Sequence, residues 1–176
     1  MRAAFVGRFQ PFHRGHMHAI EQFKDDHEIV IVIGDENSRE EDNPLNFEER
    51  RETIKQCTDA EILTLENHES DEVWTQKLIE KTESDAVISR NEWTLEAVKE
   101  YSNLEILKQD FKNRELFSGT EIRRRIRSGE EWRYLVPDCA EETISELEEV
   151  VKKAGKDYKF DPGWKRENAF HGTAED

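Results

Sequence analysis

AAFVGRFQPFHRGH, residues 3–16, passes from an apolar run to a basic, glycine-punctuated stretch. Its first part, AAFVG (3–7), has no polar side chain and reads as a strand buried on both faces. Its second part, GRFQPFHRGH (7–16), carries two histidines, two arginines and two glycines, has no apolar periodicity, and is poor core material. A helical pattern follows over about 14–26. Strand, glycine turn and helix in that order open a parallel α/β unit.

Working outward, the alternation repeats. EIVIVIG (28–34), β-branched and closed by Gly34, is a strong strand candidate, followed by AEILTL (60–65), DAVIS (85–89) and LEIL (104–107). Helical patterns lie between them at about 46–58, 71–82 and 92–101. Apolar strands separated by helices require parallel pairing with right-handed crossovers. The expected fold is therefore α/β: a Rossmann-like, doubly wound, five-stranded parallel sheet with helices on both faces, then C-terminal helices. SGTEIRRRIRSGEEW (118–132) reads as a capped helix, and PDCAEETISELEEVVKKAG (137–155) as a single further helix with Ile144, Leu147 and Val151 on one face and Gly155 at its end. One domain is expected over 1–155, with 156–176 a flexible tail and the acidic DENSREEDNP (35–44) a loop.

The chain has 176 residues, 35% of them hydrophobic and 38% charged, and a net charge of −15. Such an excess of acid repels nucleic acid and anionic membranes, so neither is expected as a partner. It serves solubility, and equally suits concentrated salt. Any anionic ligand must meet a local cationic cluster, and two exist: Arg8, His13, Arg14 and His16, then Arg123, Arg124, Arg125 and Arg127. The two cysteines, Cys57 and Cys139, lack metal-site spacing and are expected as free thiols in a reducing compartment, a disulfide being the lesser reading. MRAAFVG lacks a signal-peptide core and no run reaches transmembrane length, so a cytoplasmic location is expected.

In an open parallel sheet, ligands bind outside the carboxyl ends of the strands, where helix N-termini present free N–H groups to anions. GRFQPFHRGH sits at such a place. Gly7 is expected to let the backbone turn close to a ligand, Pro11 to stiffen the turn, and Gly15 to leave the first helical turn bare. His13 and His16, three apart, make a donor pair for phosphate oxygens. The stretch is neither a GxxxxGK phosphate loop nor GxGxxG, and two histidines without a nearby cysteine or carboxylate are weak for zinc, so no metal ligand is assigned.

HxGH after a first strand resembles the signature of the nucleotidylyltransferase superfamily. The wider GRFQPFHRGH, with NPLNFEERRETI (43–54), ESDEVWTQKLI (69–79), SGTEIRRRI (118–126) and EEWRYLVP (130–137) in order, resembles the archaeal-type nicotinamide-nucleotide adenylyltransferases over about residues 1–150. The resemblance implies transfer of the adenylyl group of ATP to nicotinamide mononucleotide, giving NAD and pyrophosphate, with Mg²⁺ carried by the triphosphate. It implies His13, His16 and Arg123 as catalytic residues. It implies a nucleotide cradle of Gly7, Arg8, Phe9, Gln10, Gly15, Arg50, Ser118, Gly119 and Thr120, with Arg39 a weaker candidate. Trp74 is implied as a platform for the pyridine ring, and Asn91 as a further acceptor contact. A homo-oligomer is consistent with the family, where hexamers are frequent. Ser118 and Thr120 also suit plain N-capping, and Trp74 also suits a core.

Two segments depart from the family pattern. SRNEWTLEAV (89–98) lacks the usual proline and adds Arg90 and Trp93, and DENSREED (35–42) is more acidic than its counterparts. Both face the substrates, so nicotinic acid mononucleotide, flavin mononucleotide or phosphopantetheine stay open as acceptors. A nucleotide-binding sensor is the non-enzymatic alternative.

Overall fold

The computed structural model describes residues 1–34, 39–110 and 113–155. The expected tail, 156–176, and the start of the acidic loop lie outside the described residues. Five parallel strands, β1 (Arg2–Gly7), β2 (Glu28–Gly34), β3 (Glu61–Leu65), β4 (Ala86–Ile88) and β5 (Glu105–Ile106), form one sheet in the order β3-β2-β1-β4-β5. The chain winds outward from β1 through β2 to β3, then returns to the other side of β1 for β4. The switch point thus falls between β1 and β4, the place where such sheets hold ligands.

Side-chain alternation sends each strand's residues to two cores. Ala3 and Phe5 of β1, Ile29, Ile31 and Ile33 of β2, and Ala86 and Ile88 of β4 face α1 (Arg14–Phe23) and α2 (Phe47–Lys55), which contribute Ala19, Ile20 and Ile54. Ala4, Val6, Val32 and Val87 face the opposite way, against α3 (Asp71–Thr82) and α4 (Glu92–Tyr101), which contribute Trp74, Leu78 and Val98. Burial on both faces explains why the strands read as unbroken apolar runs. β5 is shorter than the LEIL run suggests, pairing with a β4 of only three residues; one further bond, from the Leu107 N–H to the Val87 carbonyl, extends its pairing.

A third core joins Leu45 to α5 (Gly119–Ser128), a short 3₁₀ turn (Arg133–Leu135), α6 (Asp138–Glu146) and α7 (Glu148–Lys153). Ser118 caps α5 through its Oγ, and Gly129 ends it at φ 78°, a conformation glycine adopts without strain. The expected single helix over 137–155 is instead broken at Leu147 (φ −99°, ψ 3°). The reason is tertiary: α6 packs on α2 while α7 packs on α5, and one straight helix cannot serve both.

Cys57 and Cys139 form a disulfide, which corrects the expectation of free thiols. Packing of α6 on the end of α2 brings their Cα atoms to 5.3 Å although they stand 82 residues apart. Cys57 touches both the α1/α2 core and the C-terminal core, so the bond pins the two together.

Candidate active site

At the carboxyl end of β1 the chain turns through Arg8–Phe12 and enters α1 with His13 as its N-cap. The two histidines form a reciprocal capping box. The Gly15 N–H donates to His13 Nδ1 at 3.0 Å, and the His13 N–H donates to His16 Nδ1 at 3.0 Å. A backbone N–H only donates, so both Nδ1 atoms carry lone pairs and both protons sit on Nε2. The rings stack with centroids 3.7 Å apart. Both Nε2 atoms are buried and find no hydrogen-bond partner among the described residues. Two aligned N–H donors in a desolvated place, without an acceptor, call for an anionic oxygen.

The electrostatics keep both rings neutral. Burial, then the charges of Arg90 and Arg123, lower the His13 pKa to about 3. Burial, then His13 and Arg90, hold His16 well below its ordinary 6.5. A neutral imidazole with Nε2–H is a donor over the whole physiological range. The same tautomer leaves Nε2 without a lone pair for a metal ion, so the pair suits phosphate and not zinc.

Arg123, 2% exposed, reaches from α5 into this turn. Its Nη1 donates to the Gln10 carbonyl at 2.6 Å and its Nη2 to Thr120 Oγ1 at 3.4 Å, with Asp42 at 3.9 Å. Burial lowers its pKa to about 10, with Asp42 opposing, so it stays cationic. Arg123 thus ties the start of α5 to the turn before α1, in which Arg8 is also buried. Arg124 and Arg125 are instead held by Glu121, with Glu130 and Tyr134 as further partners, and Arg127 donates to the Glu41 and Val151 carbonyls.

Several residues expected to touch nucleotide have structural duties here. A Cβ on Gly7 would meet the Phe9 ring at 3.2 Å, so Gly7 makes room for Phe9. Phe9, at φ 54°, folds its ring into the α1/α2 core against Phe5, Phe12 and His16. Gln10 clasps Leu45 with both ends of its amide, 2.9 Å each way. Arg50, 1% exposed, donates to the Arg8 carbonyl at 3.0 Å and to the Asn46 carbonyl, so it supports Arg8 from α2. Arg39 pairs with Glu49. Asn91 caps α4 by accepting from the Thr94 N–H. Trp74 lies 1% exposed in the α3/α4 core, edge-on to Trp93 with centroids 5.1 Å apart, so no ring face of Trp74 is open. Gly15 is buried at the start of α1, and Gly119 begins α5.

Sequence reasoning gave no role to Arg90, which the structure sets beyond the end of β4 with its charge felt by both histidines. The readable signal was a cation directly after a strand next to the switch point. Asn43 was also passed over, and its Oδ1 is buried without a partner among the described residues.

Comparison with known proteins accords with this geometry. The family model for cytidylyltransferase-like proteins matches residues 4–125, from within β1 to Arg125 of α5. The chain belongs to the cytidylyltransferase-like family. Among the cytidylyltransferase-like relatives it resembles are a nicotinamide-nucleotide adenylyltransferase of Methanolobus tindarius, 37% identical over 90% of this chain and 98% of that one, and one of Methanococcus aeolicus, 34% identical over the same shares. A third, from Halobacterium salinarum, is 30% identical over 86% of this chain and 89% of its own.

Proposed function

We propose that this chain transfers the adenylyl group of ATP to nicotinamide mononucleotide, giving NAD and pyrophosphate. The observation that carries the reading is the pair of buried, unaccepted Nε2–H donors of His13 and His16 at the switch point. An oxygen of the acceptor's phosphate attacks the α-phosphorus of ATP, the bond from that phosphorus to the β-bridging oxygen breaks, and pyrophosphate leaves with the electron pair. The attacking phosphate is already largely ionised near neutrality, its second pKa being about 6, so no protein nucleophile or strong base is needed. Alignment and charge stabilisation are what the protein supplies.

His13 and His16 donate to the α-phosphoryl oxygens, where negative charge grows in the transition state. Arg123 and Arg8 meet the β- and γ-phosphates, since guanidinium forks match phosphate geometry. Ser118, Gly119 and Thr120 contribute the N-terminus of α5 to the same anion. Arg50 positions Arg8 through its carbonyl. The donor set here, N–H groups and guanidiniums, favours anions and supplies no metal ligand, so Mg²⁺ would be brought by the triphosphate and would offset its negative charge. Stacking of the pyridine ring on Trp74 requires Trp93 to swing off it.

The test is product formation. Incubated with ATP, Mg²⁺ and nicotinamide mononucleotide, the protein should yield NAD and pyrophosphate in equal amounts. Pyrophosphate release with other phosphorylated acceptors, and none with nicotinamide or nicotinic acid mononucleotide, would overturn the acceptor. No release with any acceptor would overturn the enzyme.

A further inference from the structure

β4 stops at Ile88, which pairs in register with Phe5 of β1. Two residues beyond Phe5 is Gly7, and two beyond Ile88 is Arg90. Parallel neighbours advance together, so Arg90 leaves the sheet level with the Gly7–Arg8 turn, on the β4 side of the switch-point crevice. Its backbone setting is fixed on the far side: the Asn91 N–H donates to Ser89 Oγ at 3.1 Å, and Asn91 Oδ1 accepts from the Thr94 N–H at 3.0 Å to start α4. One turn on, Trp93 lies against Trp74. Arg90 therefore stands at the carboxyl end of β4, next to the β1–α1 turn and three residues before Trp93. Its charge acts on both imidazoles.

The reaction proposed above forces two anions together, a triphosphate and the acceptor's own phosphate. Two like charges about 4 Å apart repel strongly at the dielectric of a protein surface. Arg8 and Arg123 are near enough to each other for their charges to interact, and both belong to the β1–α1 and α5 side. The acceptor's phosphate needs a cation on the other side of the α-phosphorus.

Resting on that reading of the reaction, we infer that Arg90 is the residue that holds the phosphate of the acceptor mononucleotide, set at the carboxyl end of β4 beside the β1–α1 turn that carries the imidazole pair. It lowers the repulsion between the two substrates and aims the attacking oxygen. This assigns the arginine of the departing SRNEW segment a substrate contact, and divides the crevice into a triphosphate half and an acceptor half.

The test removes the phosphate from the ligand and the guanidinium from the protein in turn. Affinities of nicotinamide mononucleotide and of nicotinamide riboside, which lacks the phosphate, are measured with a non-reacting α,β-methylene analogue of ATP bound. Wild type should prefer the mononucleotide, and Arg90→Gln should cut that preference by roughly 10-fold or more, the scale of a charge-assisted hydrogen bond, with Arg90→Lys intermediate. Affinity for the ATP analogue should move by less than about threefold, as for a group outside its contacts. An unchanged preference in a folded Arg90→Gln protein overturns the inference, as does an equal loss of affinity for the ATP analogue, which would assign Arg90 to the triphosphate. Wild-type NAD formation is scored separately. Its absence overturns the proposed reaction and this inference with it, whereas NAD formation with an unaltered preference overturns the inference alone.

Discussion

The turn from Arg8 to His16 and the run from Arg123 to Arg127 look alike in sequence, each gathering cations beside a helix start. Their surroundings separate them. In the first, Arg8, His13 and His16 are buried, and both imidazole Nε2–H groups face inward with no acceptor among the described residues. In the second, only Arg123 is buried. Arg124 is gripped by Glu121 and Glu130 at 2.5 and 2.6 Å, and Arg125 by Glu121 and Tyr134. Charge density alone therefore does not mark a site. Desolvated donors left without acceptors do, because they cost stability until a ligand arrives.

The comparison breaks most sharply by deleting one donor. His16→Ala or His13→Ala should lower kcat by roughly 10²–10³-fold, the scale for one donor to a developing oxyanion. Arg124→Ala, whose partners are on the protein surface, should stay within about twofold. Steady-state kinetics on folded variants checks both. Equal losses at His16 and Arg124 would erase the distinction between the two stretches.

The next effect concerns what holds the stretches together. α2 carries Arg50 beneath the first, and α6 shares the C-terminal core with the helix that carries the second. Reducing Cys57–Cys139, or Cys139→Ser, should lower unfolding stability by about 4 kcal/mol, since the bond closes a long loop in the unfolded chain. Chemical denaturation with and without reductant measures it.

Arg123→Gln should then raise KM for ATP by roughly 10- to 100-fold, as loss of a buried charged donor predicts, while Arg127→Gln changes it by less than about threefold. A smaller effect is on pH. Both imidazoles have folded pKa values below 6.5, so the unfolded chain binds the extra protons. Their stabilising contribution is complete above pH 6.5 and declines as pH falls from 6.5 toward the folded value, about 3 for His13. Each imidazole should steepen the loss of stability by up to about 1.4 kcal/mol per pH unit. Denaturation midpoints between pH 7 and 5 should show a shallower slope in His13→Gln.

Much of this was legible from residues alone. EIVIVIG sits at β2 with the bounds its β-branched run suggests, because strands buried on both faces write their burial into composition. The histidine pair and Arg123 fall at one crevice because strand ends, helix starts and switch points follow from element order. What escaped depended on contacts between distant residues. Nothing local tells that Gly7 yields its space to Phe9, that Gln10 clasps Leu45, or that α6 and α7 part at Leu147 to reach different neighbours. The disulfide was misjudged for the same reason: its 82-residue span closes only once α6 lies on α2. The residues flanking Trp74 suggest a ligand platform, yet the packing of α3 on α4 encloses it.

The most direct measurement is nitrogen-15 NMR of the labelled histidines at pH 7, without and with a saturating, non-reacting ATP analogue. His13 and His16 should appear as neutral Nε2–H tautomers in both states, with both Nε2–H protons shifting downfield as they meet phosphate. Imidazolium signals, Nδ1–H tautomers, or Nε2–H resonances that ignore the bound nucleotide would contradict it.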